Sequence, residues 1–263
     1  MGNGGQAASS VSTKVAIIAL TAILYTVGKW VTSGIQTPWG VGQLLIGIFL
    51  PAFMAVTCDT LSVAVGAGLG TFVGDIFVRT NPLLSLLAGV PANFVAFLLF
   101  GWFVKKYKSW PAFVAGTIAF VTLGNLIAAT NVYLFIPFAL GVTLPSSAIL
   151  GLTVFWNTTS IPAILIAVPI LVRAVRPIYG RSRILTDFPS WSSSIGWTRT
   201  LYAVVFALFY AAFGAVIFVV SPGSVETTPG LGYFAVAAVM VLVFGPLSSL
   251  IAGARAGTKE PAT

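Results

Sequence analysis

Eight apolar runs, roughly 14–35, 41–57, 60–78, 83–104, 110–135, 147–172, 199–220 and 231–253, take up most of this 263-residue chain. Each is close to the ~17–25 residues that a helix needs to cross a bilayer. Only 7% of the residues are charged and the mean hydropathy is +1.03, so there is too little polar surface to clothe a soluble domain of this length. The pattern predicts an all-α, polytopic membrane protein.

An even number of crossings puts both termini on one side. With the N-terminus in the cytoplasm, Lys14, Lys105, Lys106, Lys108, Arg173, Arg176, Arg181, Arg183, Arg199, Arg255 and Lys259 fall inside, and only Lys29 and Arg79 fall outside. The net charge of +8 therefore reads as positive-inside bias, with no nucleic-acid partner implied. Residues 1–13 are small and polar and lack a secretory signal pattern, so the first span is expected to be retained.

Chemistry is constrained by what the chain lacks. Cys58 is its only cysteine and it has no histidine, which rules out an intrachain disulfide and argues against haem or a conventional zinc site. No cofactor or metal is expected. The carboxylates Asp59 and Asp75 stand at helix ends without an acid–base partner set, so the chain does not read as an enzyme.

Spans one to six, residues 14–176, have short connections and form one predicted core. Residues 177–198 make a longer basic linker, 199–254 a two-helix extension and 255–263 a tail. Trp191, Trp197, Ile184 and Leu185, with Arg181 and Arg183 in the linker and Arg176 and Arg199 flanking it, suit a segment lying on lipid headgroups or a solvated connection.

Helices in lipid pack closely only where small residues let backbones approach. Gly66, Gly70 and Gly74 recur every four residues in span three, and span one carries Ala16, Ala19 and Ala22 at a spacing of three. Each stripe serves either packing within the chain or a face offered to another membrane subunit. Asp59 begins the sequence DTLS and reads as an N-cap. Asp75 has Arg79 four residues later, the spacing of a helical ion pair.

Counting at about 1.5 Å per residue from the outer loops puts Asn93, Asn125, Asn131 and Asn157 at mid to outer depth in adjacent spans. Buried amides in hydrocarbon either bond across helices or line a cavity. Above them the loop KWVTSGIQTPWGVGQ supplies Trp30, Trp39 and Gln43, and Tyr133 ends span five nearby. These eight residues are the candidate ligand-facing set.

Five stretches carry a family resemblance: VAIIALTAILYTV, GQLLIGIFLPAF, GAGLGTFVGD, GWFVKK and FWNTTSIPAILIAVPIL, in that order within residues 14–176. Together they resemble the substrate-binding S components of energy-coupling factor (ECF) vitamin transporters. The resemblance implies a six-helix core that captures a vitamin-like micronutrient from outside through spans four to six. Spans one to three, with the small residues Ala16, Ala19, Ala22, Gly66, Gly70 and Gly74, would then face a transmembrane coupling subunit bearing two ATPases. The family spaces its first-helix alanines four apart, whereas here the interval is three, and spans seven and eight have no counterpart in its minimal fold. A self-sufficient carrier or channel, and a structural subunit of a larger membrane complex, are the alternatives.

Overall fold

A computed structural model describes residues 10–33, 43, 45–78, 82–192 and 205. Every element among them is helical. We number them α1 (Val11–Val31), α2 (Ile46–Thr57, opening with a 3-10 turn), α3 (Thr60–Val78), α4 (Pro82–Tyr107), α5 (Trp110–Leu140) and α6 (Ser147–Ile178). Five of the six are long and apolar enough to cross a membrane, as a multi-pass membrane protein requires. The expected spans at 199–220 and 231–253 lie outside the described residues, apart from Val205.

The second span differs from expectation. Among the described residues of the run 41–57, Ile46–Thr57 is helical, about 18 Å at 1.5 Å per residue, which is short for a crossing helix. The chain nevertheless turns back through this segment, because α1 and α3 run parallel. Gly66 meets Ile18 and Thr21, Gly70 meets Ala22 and Tyr25, and Gly74 meets Thr26 and Lys29. The return leg starts where Gly47 packs on Gly28 near the end of α1 and finishes beside the start of α3. Every residue of it from Pro51 to Thr57 is buried, so α2 forms the centre of the bundle.

The glycine stripe is filled by α1. A Cβ at Gly66 would lie 2.7 Å from the Ile18 carbonyl oxygen, and one at Gly70 would lie 2.7 Å from that of Ala22. These two glycines thus permit backbone contact with α1, the packing role within the chain. The matching ridge on α1 is Ile17, Thr21, Tyr25 and Lys29, also four apart and all buried. Ala16 and Ala19 point outward, while Ala22 is half-buried against Gly70.

The remaining helices alternate in direction. Gly101 of α4 packs on Thr60 and Gly89 on Thr71, while Gly124 of α5 sits against Ala96 and Gly116 against Phe103. Ser109 caps α5 by accepting from the Ala112 N–H, and Gly141 closes it with φ +68°. Asp59 does cap α3: its Oδ2 accepts from the Ser62 N–H at 2.9 Å and the Ser62 hydroxyl at 2.6 Å. Burial pushes its carboxyl up, but those hydrogen bonds outweigh it and hold the group below its ordinary range.

The described part of the linker packs on the bundle, and Trp197 lies outside the described residues. Residues 179–192 fold back across the α2–α3 and α4–α5 turns, where Trp191 is buried against Trp110 and Phe113 at ring distances of 5.5 and 4.9 Å. The Asp187 N–H donates to the Thr57 carbonyl at 3.0 Å, Lys105 pairs with Asp187 at 3.2 Å, and Lys105 also donates to the Cys58 carbonyl. Ile184 and Leu185 pack on the same core. Beneath this strap, burial pushes the Cys58 thiol up to about 11.

The tightest approach gives the clearest test. A Cβ on Gly47 would lie 2.5 Å from the Gly28 carbonyl carbon, whereas one on Gly68 would first meet a Val90 methyl at 3.4 Å. Gly47→Ala should cost about 1–3 kcal/mol of stability in detergent, and Gly68→Ala should cost less than about 0.5 kcal/mol, read from paired unfolding curves.

Candidate functional site

At the end of the bundle where α1 and α3 terminate, Lys29 and Asp75 form an ion pair of 2.7 Å with both side chains more than nine-tenths buried. The partner expected for Asp75 was Arg79, which lies outside the described residues; the partner found is a residue 46 positions earlier in sequence. Sequence spacing offers Arg79 on the same helix, but the parallel α1–α3 register carries Lys29 across. A local sign of this was present, since Lys29 continues the buried ridge of Ile17, Thr21 and Tyr25.

Two charges in an apolar bundle need more than one another. The Ser85 hydroxyl donates to Asp75 Oδ2 at 2.6 Å, and Lys29 Nζ also donates to the Thr71 carbonyl at 3.4 Å. Gln43 Nε2 donates to the Lys29 carbonyl at 3.3 Å, and the Tyr25 ring centroid lies 5.8 Å from the ammonium. Ser85 reaches Asp75 from a π-helical turn, Ser85–Gly89, at the start of α4. Such turns widen the helix by one residue and recur at functional sites.

A second amide network continues inward from the pair. Asn93 Nδ2 donates to the Thr71 hydroxyl at 2.9 Å and to the Gly89 carbonyl at 3.1 Å, and its Oδ1 accepts from the Tyr25 hydroxyl at 3.4 Å. Across the bundle, Asn125 Nδ2 donates to Asn157 Oδ1 at 2.8 Å, joining α5 to α6. Between these groups lies a cavity of about 50 Å³. Its walls include Lys29, Gln43, Thr71, Asp75, Ser85, Gly89, Asn93, Asn125 and Trp156.

The cavity gathers part of the sequence-predicted set. Gln43, Asn93 and Asn125 line it, and Asn157 stands behind Asn125 as its hydrogen-bond partner. Trp30 is off the wall: it follows Lys29 on α1 and faces outward, 61% exposed. Asn131 bonds the Leu87 carbonyl at 3.1 Å, and neither it nor Tyr133 lines the cavity. Trp39 lies outside the described residues. Lys29, which the sequence places in the outer loop above the amides, is on the wall; Ser85, Thr71 and Trp156 were missed, and for Trp156 the only sign was its adjacency to Asn157.

No family model, curated protein or solved structure matches this chain.

Removing either charge leaves the other buried and uncompensated, which costs about 3–5 kcal/mol, whereas replacing both by apolar groups is close to neutral. Lys29→Met and Asp75→Leu should therefore each destabilise by that amount, and the double variant should recover most of the loss. Unfolding of the four proteins in one detergent checks this; additive losses in the double variant would show that the pair is not coupled.

Proposed function

We propose that this chain is a non-enzymatic, solute-binding subunit of an ATP-driven importer in the cytoplasmic membrane. The observation that carries the solute-binding part is the convergence of the intramembrane polar groups of five helices on one cavity. Lipid-facing helices need no such groups, and amides or ions held at membrane depth are costly unless they serve packing or a ligand. The closest helix approaches are made by glycine and alanine, and the gathering of the polar groups around one cavity supports a ligand role beside their bonds across helices.

Importer rather than stand-alone carrier follows from the resemblance to ECF S components and from the absence of a Walker sequence in the chain, so energy would come from a partner ATPase. In that reading the Lys29 end faces outside and the Lys105 end faces the cytoplasm, with the strap of residues 179–192 beneath the bundle. The coupling subunit would meet the outward side of α1, including Ala16 and Ala19, since the Gly66 and Gly70 positions are already covered. Drug-sized ligands occupy pockets of ~300–1,000 Å³, so this cavity of about 50 Å³ would have to widen to take one. A vitamin-sized solute would enter as the walls part, and the π-helical turn Ser85–Gly89 is a helical wall that departs from α geometry.

The buried ion pair favours a second reading, a carrier that works alone, because paired charges at membrane depth also mark transport paths. Native mass spectrometry of gently extracted protein from its own host separates the two. The importer reading expects a small bound molecule together with a membrane coupling protein and ATPase subunits. Protein that carries no such subunits and moves solute by itself in liposomes contradicts it.

A further inference from the structure

Asn131 stands among the expected ligand-facing residues, yet it lies off the cavity wall and its amide donates to the Leu87 carbonyl at 3.1 Å. The local sequence explains why that carbonyl takes a side chain. Residue 91 is proline, which has no N–H, so the i→i−4 bond that a regular helix would make to Leu87 cannot form. The gap lies beside the π-helical turn Ser85–Gly89, which closes with the Val90 N–H on the Ser85 carbonyl. Asn131 thus supplies from α5 a donor that α4 lacks.

A π-turn carries one residue more than an α turn, and that residue sets the phase of the helix before it. Ser85, Ala88, Gly89 and Asn93 line the cavity, whereas Leu86, Leu87, Val90 and Phe94 line a separate apolar groove. Drawing the turn back to α geometry would carry Leu86 about 100° round the axis, into the place of Ser85. The Ser85 hydroxyl would then leave Asp75 Oδ2, which it meets at 2.6 Å, and a leucine would face that carboxylate. The inner side of the turn is also built for close approach, since a Cβ on Gly89 would lie 2.8 Å from Thr71 Cγ2.

We infer that Asn131 is a positioning residue for the cavity: by holding the carbonyl that Pro91 leaves open, it fixes the π-turn in the register that puts Ser85 on the wall. Its purpose rests on the solute-binding reading above, and it names the group that sets which side chains of α4 a solute meets. Gly124, Asn125, Ala128 and Val132 of α5 line the cavity too, so this helix supplies both a wall and the catch on the neighbouring one. A shift of α5 that withdrew Asn131 would therefore change the polar face of α4 as well.

Two double-mutant cycles on the full-length protein, read as Tm in one detergent, test this. Asn131→Leu should lower Tm by roughly 4–8 °C, because it leaves a carbonyl without its donor and frees Ser85 from the wall. Pro91→Ala restores an N–H four residues after Leu87, so in that background the same change should cost less than about 2 °C. Ser85→Ala should lower Tm by roughly 3–6 °C in the wild-type protein, as loss of a hydrogen bond to a charged group does. Beside Asn131→Leu it should cost less than about 2 °C, and beside Asn131→Gln, which keeps the amide, it should regain its effect. If Asn131→Leu does not purify, Asn131→Ala removes the same donor and takes its place.

An undiminished Ser85→Ala loss beside Asn131→Leu would show that Ser85 keeps its place without the amide, and would overturn the inference. So would an undiminished Asn131→Leu loss beside Pro91→Ala. Neither cycle needs a solute. Their failure leaves the solute-binding reading standing, whereas protein extracted without a bound solute or partner subunits leaves the register of α4 as inferred.

Discussion

The backbone contact between α1 and α3 is the constraint on which the rest of the molecule depends. Glycine at positions 66 and 70 brings the helices together with carbonyl oxygens where side chains would otherwise stand. In lipid, where apolar burial gives helices little reason to associate, contact of this kind supplies the attraction. Its parallel sense has two consequences. The chain must return between the two helices, which makes α2 the buried centre, and the helix ends meet side by side, which brings Lys29 to Asp75.

From that pair the polar architecture extends in one direction only. Thr71 and Asp75, four residues apart on α3, receive Asn93 and Ser85 from α4, and Gln43 joins from the segment before α2. The opposite end of the bundle is built differently, from aromatic rings and backbone hydrogen bonds that fasten residues 179–192 over the helix turns. α2 runs between the two ends, with Gln43 and Leu45 at the cavity and Thr57 under the strap. The described residues thus have a polar end with a cavity and a clamped end, joined by their most buried helix.

Much of this was legible in the sequence because hydropathy and caps are local. The limits of α3 match the apolar run 60–78, and Asp59 and the run from Trp110 announce their helix starts. The parts that were not legible depend on register between distant segments. Asp75 was assigned to Arg79 because i,i+4 spacing is visible along one helix, while the approach of Lys29 requires the parallel α1–α3 match. Trp30 was grouped with the outer loop, yet a rotation of one residue from Lys29 sends it to the outside. Trp191 suited either a headgroup segment or a solvated linker from its arginine neighbours, and only the tertiary fold brings it to Trp110 and Phe113.

The central claim is the parallel register of α1 on α3, and a cysteine pair tests it most directly. A Cβ at position 74 would lie 3.5 Å from the Thr26 Cα, within the range that a disulfide can bridge. In a Cys58→Ser background, Thr26→Cys with Gly74→Cys should oxidise readily to an intramolecular disulfide in membranes, and Thr26→Cys with Ser62→Cys should not. Bridging of the second pair but not the first would place α3 antiparallel to α1, separate Lys29 from Asp75 and contradict the account.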